Sequence, residues 1–305
     1  VSSADSGDNA VTPPRIGWIG TGVMGRSMAG HLLDAGAELL VHTRTAARAE
    51  PLIERGARWA ETPEAVTEDR DVVFSIVSMP ADVAHVHLGT DMHRGTLAAM
   101  RSGTILVDMT TSRPDLARTL AEAGAARGID VLDAPVSGGD VGARNAALSI
   151  MVGGSAKALE RVHPLLARMG SRIVRHGGPG SGQHCKMVNQ ILVAAGMLGT
   201  CEALAYARAA GLNGERVIES VSSGAAGSWS ISNLGPRILR EDFEPGFRVD
   251  HFLKDLRIAI EESRAMNLDL PAVALAERLY DRLVSEGFAA SGTQVLARIA
   301  GQRTP

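Results

Sequence analysis

The sequence predicts an α/β protein in two parts: a doubly wound, mostly parallel sheet, then an all-α domain joined to it by a long interdomain helix. Three observations predict it. Short apolar runs ending in Gly, Ser or Thr alternate with helical stretches from Arg15 to His176, the pattern of repeated βαβ units. A glycine-rich turn stands between the first strand and the first helix. From Ser181 to about Ala210 a single helical stretch follows, roughly 45 Å long at 1.5 Å per residue, and helices with short breaks make up the rest.

Composition narrows the class of ligand. The 305 residues are 45% apolar, ample for a core in each part. Net charge is −3, from 31 basic and 34 acidic residues without a run of like charges. That balance favours small ligands over a nucleic-acid groove or a membrane face. Cys185 and Cys201 fall on the long helix, roughly 24 Å apart along its axis, and cannot pair. With no disulfide framework and no Cys/His spacing suited to zinc, no metal is expected and the expected compartment is the cytoplasm. The uncharged stretch of the long helix, between Lys186 and Glu202, has 15 residues including Asn189, Gln190 and Thr200. It falls short of the ~20 apolar residues that span a bilayer, so a buried soluble helix is expected.

The first strand, Arg15 to Gly20, runs into Thr21-Gly22-Val23-Met24-Gly25 and an amphipathic helix reaching Ala35. Gly20, Gly22 and Gly25 make the GxGxxG pattern of a Rossmann-type dinucleotide site. The first glycine turns the chain, the second admits a pyrophosphate, and the third lets the helix pack on the strand. The helix N-terminus then faces the phosphates, with Val23 and Met24 in its first turn. At the end of the second strand an NAD site usually carries an acid, whereas this protein reads Val41-His42-Thr43-Arg44-Thr45. Arg44 suits a 2′-phosphate, with hydroxyls from Thr43 and Thr45 beside it, so NADP(H) is favoured and NAD(H) remains possible.

The strand at 71–77 ends at Ser78-Met79-Pro80, and that at 103–108 ends in Met109-Thr110-Thr111-Ser112. Both ends lie where an open sheet presents its ligand. After a strand at 129–132, Asp133-Ala134-Pro135-Val136-Ser137-Gly138-Gly139 is a small-residue turn; it is either structural or a backbone nest for a carboxylate. The run Gly177, Gly178, Pro179, Gly180, Gly182 marks the boundary. The expected divisions are a disordered leader over 1–14, a dinucleotide-binding domain over 15–180, and a helical substrate and oligomerisation domain over 181–305. Residues 1–14 lack the apolar block of a signal peptide and the arginines of a transit peptide. The middle of the long helix, Ile191 to Cys201, is apolar on all faces and must be surrounded, so a homodimer or homotetramer is expected.

Lys186 and Asn189 stand three apart at the start of that helix and share a face. The helix dipole there disfavours an ammonium and lowers its pKa. Such a lysine can give a proton to a carbonyl oxygen as hydride arrives, or take one from an alcohol in reverse.

Four stretches taken together resemble the β-hydroxyacid dehydrogenase family: Gly17-x-x-Gly20-x-Gly22-x-Met24-Gly25, Asp133 to Gly139, Gly180-x-Gly182-x-x-x-Lys186-x-x-Asn189, and Lys254-Asp255-Leu256. The resemblance implies an NAD(P)-dependent interconversion of a small 3-hydroxy acid with its semialdehyde or keto acid. It implies that Lys186 is the acid/base, that Asn189 holds substrate, and that Ser137, Gly138 and Gly139 bind a substrate carboxylate. It places Thr111, with Met79 and Pro80 nearby, at the nicotinamide, and Lys254 on the cofactor side of the cleft. Without it, Lys254 and Asp255 read as a solvated charge pair. Two positions depart from the family pattern: Gln190 replaces a usual second asparagine, and His251 a usually apolar residue. His251 and Trp229 are therefore candidates for shaping a different substrate pocket, although His251 reads more readily as an ordinary hydrogen-bonded core histidine. Imine reduction on the same fold and a non-catalytic cofactor-binding module are the alternatives; Lys186 counts against the first, and Lys186 with Asn189 against the second.

Overall fold

The computed structural model describes residues 14–301, so the leader expected over 1–14 lies outside the described residues save for Pro14. One sheet contains β1 (Arg15–Ile19), β2 (Glu38–His42), β3 (Arg58–Trp59), β4 (Val72–Ser75), β5 (Ile105–Asp108), β6 (Asp130–Asp133), β7 (Val136–Ser137), β8 (Leu148–Gly153) and β9 (Gly170–Gly177). The α-helices among the described residues are α1 (Val23–Asp34), α2 (Glu50–Ile53), α3 (Pro80–Leu88), α4 (Thr96–Ala99), α5 (Pro114–Ala125), α6 (Gly139–Arg144), α7 (Ala156–Leu166), α8 (Ser181–Ala209), α9 (Gly214–Ser222), α10 (Gly235–Leu239), α11 (Val249–Ala265) and α12 (Pro271–Ser285).

Strands β3-β2-β1-β4-β5-β6 lie in that order and are all parallel. The order reverses between β1 and β4, which opens a crevice at the carboxyl ends of the strands. Register keeps those ends level: Ile19 stands beside Ser75, Ser75 beside Asp108, and Asp108 beside Asp133. The loops leaving them therefore converge. Both faces are covered, as a parallel sheet requires. Trp18, stacked on Phe74 at 5.5 Å between ring centroids, packs with α1 residues Met28 and Leu32 on one face. Val73 and Leu106 pack with Val83 and Leu120 on the other.

Beyond β6 the sheet turns from parallel to mixed, with β8 antiparallel to both β6 and β7 and parallel to β9. The link from β7 through the short α6 is too brief for a crossover, which needs a dozen or more residues. The sequence shows neither the two-residue β7 nor β3.

Helix α8 leaves the sheet at Ser181 and runs 29 residues. The 15-residue uncharged stretch alone is too short for a bilayer, but over its whole length α8 is, by length and composition only, long and apolar enough to cross a membrane. Its inner face is otherwise engaged, against β8, α11 and α12, and Met197, Cys201 and Leu204 join Phe252, Leu256 and Tyr280 in the helical core. Of the apolar middle of α8, Leu192 is 69% exposed, and Val188 and Tyr206 on either side of it are 57% and 75% exposed.

Candidate active site

The glycine turn after β1 is built to a tight tolerance everywhere except where a ligand would approach. Gly20 has φ +98°, and a Cβ there would lie 2.0 Å from the Ile76 carbonyl oxygen; a Cβ on Gly25 would lie 2.0 Å from that of Gly20. In front of Gly22 there is open space. Gly22 caps α1 without a side-chain hydrogen bond, so the first amides of the helix are free to face an anion. Thr21 is buried, and its Oγ1 has no hydrogen-bond partner. An orphaned hydroxyl, open space and uncapped amides together fit the pyrophosphate of a dinucleotide. Gly20 N–H donates to His42 O, tying this turn to the end of β2. Beyond it, Arg44 is 79% exposed and pairs with Asp82, 3.3 Å away in the first turn of α3.

On the far side of the crevice, Asp133 closes the start of α8. Gly180, at φ +87°, turns the backbone into the helix. Its N–H donates to Asp133 Oδ1 at 2.8 Å, and that of Gln183 donates to Oδ2 at 2.9 Å. Burial pushes the Asp133 carboxyl up, and these backbone donors pull it down. A carboxylate from β6 thus occupies the positive end of α8.

Lys186 lies one turn further on, 7% exposed, with Nζ donating to Val136 O in β7 at 2.8 Å. Its pKa falls to about 8, chiefly through burial, with the Asp255 charge opposing the fall and Lys254 adding to it. The helix dipole, which the sequence suggested as the cause, is already met by Asp133. Asn189 Nδ2 donates to Gln190 Oε1 at 2.7 Å, and Gln190 Nε2 to Asp255 Oδ2 at 2.6 Å. Asp255 Oδ1 lies 3.0 Å from Lys254 Nζ, which donates to Thr111 O at 2.6 Å. This series of contacts crosses from the helical domain to the sheet. Arg113, next to Pro114 of α5, adds an exposed ion pair with Glu261 of α11.

The structure therefore links Asn189, Lys254 and Thr111 through one series of contacts, with Lys186 close enough to feel the charges of Asp255 and Lys254. Ser137, Gly138 and Gly139 follow directly from Val136, the carbonyl that holds the lysine. Gly138 and Gly139 have φ of +134° and +63°, and Gly139 faces open space. Met79 is half exposed at the start of α3, with Pro80 opening that helix. His251 is half-buried on α11 one turn before Lys254, and burial lowers its pKa. Trp229 is not drawn to Lys186. It is 60% exposed, and its neighbour Ser230 lies against Gly196, ten residues along α8 from the lysine, or about 15 Å.

Three residues escape a reading of the sequence. Asp133 is visible there only as part of a turn, and Gln183 as a polar residue in a helix start. Asp255, which beside Lys254 reads as a solvated charge, is 1% exposed. Its spacing carried a signal: it stands three after Phe252 and four before Ala259, both core positions, on one face of α11.

Two family models divide the protein at the start of α8. Residues 15–178 match the NAD binding domain of 6-phosphogluconate dehydrogenase. Residues 180–300 match the NAD-binding model of NADP-dependent 3-hydroxyisobutyrate dehydrogenase. The probable 3-hydroxyisobutyrate dehydrogenase-like 1 of Arabidopsis thaliana mitochondria is 48% identical, over 97% of this chain and 88% of its own. The 2-hydroxy-3-oxopropionate reductase of Escherichia coli is 38% identical over 90% and 92%. The crystal structure of 3-hydroxyisobutyrate dehydrogenase from Salmonella typhimurium superposes with a TM-score of 0.85 at 26% identity, covering 94% of this chain and 99% of that one. An imine reductase from Myxococcus stipitatus, solved with NADP+, shares the fold at a TM-score of 0.61 and 21% identity, over 93% and 99%. The fold and its open glycine turn define an oxidoreductase that binds NAD or NADP. Within that class the chain belongs to the β-hydroxyacid dehydrogenase family.

Proposed function

We propose that this enzyme interconverts a small 3-hydroxy acid and its semialdehyde or keto acid, with NADP(H) as the preferred cofactor. The observation that carries the proposal is a buried lysine, its pKa lowered to about 8, set between the strand-end loops and α11. When bound, the nicotinamide supplies or accepts the hydride. In reduction the hydride adds to the carbonyl carbon and the C=O π pair moves to oxygen. Lys186 gives that oxygen a proton and is left as a neutral amine. In oxidation it takes the proton back. Val136 O keeps Nζ aimed in either state, because a neutral amine still donates. Asn189 orients the substrate, and the backbone of Ser137, Gly138 and Gly139 receives its carboxylate. Thr111, Met79 and Pro80 border the nicotinamide, and Gly20, Gly22, Val23 and Met24 the pyrophosphate. Arg44, with Thr43 and Thr45, receives the 2′-phosphate by exchanging Asp82 for it. Lys254 holds the Thr111 carbonyl on the cofactor side. His251, one turn from Lys254, borders the substrate.

On this reading residues 15–180 form the cofactor domain and 181–305 the substrate and oligomerisation domain. Val188, Leu192 and Tyr206, exposed on one face of α8, support a homodimer, because they leave apolar surface uncovered on that face, broken by the exposed Glu202. Sedimentation at micromolar concentration tests this, and a monomer overturns it. Two free cysteines, Cys185 half-buried and Cys201 buried, suit the reducing cytoplasm. The reaction is tested by NADPH oxidation with small semialdehydes, glyoxylate and cyclic imines. Turnover with a carboxylate-bearing semialdehyde is the expected result; turnover with imines alone overturns the proposal.

A further inference from the structure

Gln183 precedes Lys186 by three residues on α8 and is 0% exposed. Its side-chain amide meets the backbone on both sides of Thr111. Nε2 donates to Thr110 O at 2.7 Å, and Ser112 N–H donates to Oε1 at 2.9 Å. Its own backbone N–H is held by Asp133, as above. Thr111 O accepts from Lys254 at the same turn. The loop carrying Thr111 is therefore fixed from two sides, by a side group of α8 and by one of α11. Deeper in the sheet it is anchored a third time: Thr110 N–H donates to Asp108 Oδ1, and Thr110 Oγ1 accepts from Val77 N–H.

We propose that Gln183 is a positioning residue for the reaction: its amide locks the Thr111 turn to the helix that carries Lys186, so that hydride donor and proton donor stay in register. This rests on the proposed reaction for what is positioned, but the lock itself is a matter of geometry alone. A primary amide is neutral and both donates and accepts from one plane, so it pairs with a backbone carbonyl and a backbone N–H as a neighbouring strand would. Both of its bonds are buried, where losing one leaves a backbone group unsatisfied. Gln183 and Lys186 also share a helix face. A displacement between turn and helix therefore changes the distance across which hydride and proton must both be delivered, and misplacement by about 1 Å can cost about a hundredfold in rate.

The experiment compares Gln183→Met with Gln183→Glu. Methionine keeps the length and removes both bonds. A protonated glutamic acid keeps both: its O–H donates to Thr110 O, and its carbonyl oxygen accepts from Ser112 N–H. Once ionised it turns a lone pair on Thr110 O. The charged groups about this position are Asp133 and Asp108 at the strand ends, Arg118 of α5 beside Gly180, Lys186 on the same helix, and Lys254 beyond Thr111. Burial and the two aspartates raise the introduced carboxyl, and the three cations lower it.

Gln183→Met is expected to lower kcat by roughly 10- to 100-fold at every pH, with the KM for NADPH within about twofold of wild type. The isotope effect with 4-deuterated NADPH should grow, and amide exchange at Ser112 should quicken. Gln183→Glu should approach wild-type turnover at low pH and fall to the methionine level as pH rises, a break additional to the fall near pH 8 expected of Lys186 in the wild type. Melting curves at each pH correct for unfolded enzyme. Unchanged kcat per folded molecule in Gln183→Met, or a wild-type pH profile in Gln183→Glu, overturns the positioning role. Unchanged exchange at Ser112 overturns the lock whatever the reaction, whereas a wild-type protein inert toward every semialdehyde overturns the reaction instead.

Discussion

Two helices in this protein begin in the same way and are used in opposite ways. Both α1 and α8 follow a glycine turn, and neither is capped by a side-chain hydrogen bond from its own N-cap residue. At α1 the space in front of Gly22 is open and the Thr21 hydroxyl is unpartnered. At α8 the corresponding position is filled by Asp133, which takes the N–H groups of Gly180 and Gln183. One helix end is kept for a ligand's charge, and the other is neutralised by the protein's own. A positive helix end is a binding site only where the fold leaves it unsatisfied. This also explains Lys186: with the α8 terminus already neutralised, its pKa is lowered chiefly by burial.

The sharpest way to break the contrast is to empty the closed end. Asp133→Ala leaves two buried N–H groups without acceptors and is expected to cost about 2–5 kcal/mol, read as a lower urea midpoint. An unchanged midpoint would show that α8 is not held by this carboxylate. The matching change at the open end should act on the ligand and leave the fold alone. Arg44→Ala removes an exposed ion pair with Asp82, a contact that ordinarily adds little to stability. It should raise the KM for NADPH about tenfold, leave that for NADH unchanged, and keep the same midpoint. Equal losses for both cofactors would remove Arg44 from the 2′-phosphate.

A smaller effect concerns the polar network beneath the Thr111 turn. Ser75 Oγ donates to Asp108 Oδ1 at 2.9 Å, so His87 Nε2–H donates to Ser75 Oγ, also at 2.9 Å, and Thr96 Oγ1 donates to Nδ1 at 2.7 Å. Burial raises the Asp108 carboxyl to about 6 and lowers His87 to about 3. The two act in opposite senses. Folded Asp108 holds its proton more tightly than the unfolded state does, so its contribution to stability grows as pH falls from about 6 to about 4. Folded His87 resists protonation that the unfolded state accepts, so stability is lost as pH falls below about 6.5. Asp108→Asn deletes the first and keeps the second. Its melting temperature should therefore drop more steeply than wild type between pH 6.5 and 4.5, by roughly 2–6 °C; parallel curves would contradict the assignment.

What the sequence carried was local. The period of β1, β2, β4 and β5, the glycines between β1 and α1, and the lysine three before an asparagine are all short-range patterns, and they place the crevice and the candidate proton donor. What it did not carry was long-range. Asp133 meets Gly180 and Gln183 from roughly fifty residues away, and Gln183 meets the Thr111 turn from about seventy; no periodicity encodes such pairs, which exist only once the sheet sets its register. Asp255 is an intermediate case, legible from its inward spacing on α11 but masked by the neighbouring lysine. The antiparallel β8 was hidden for a different reason, since a mostly apolar strand reads the same in either direction.

The central claim is that Lys186 moves the proton, with its pKa set by burial. The most direct measurement is the pH dependence of kcat/KM for semialdehyde reduction, in wild type and in Lys186→Ala. Reduction needs the ammonium form, so kcat/KM should fall as pH rises through about 8, the value to which burial lowers this lysine. Lys186→Ala should lose about 10²–10⁴ in turnover, lose that break, and bind NADPH as before. Full turnover in the variant, or the same break near pH 8 in its residual activity, would contradict the account.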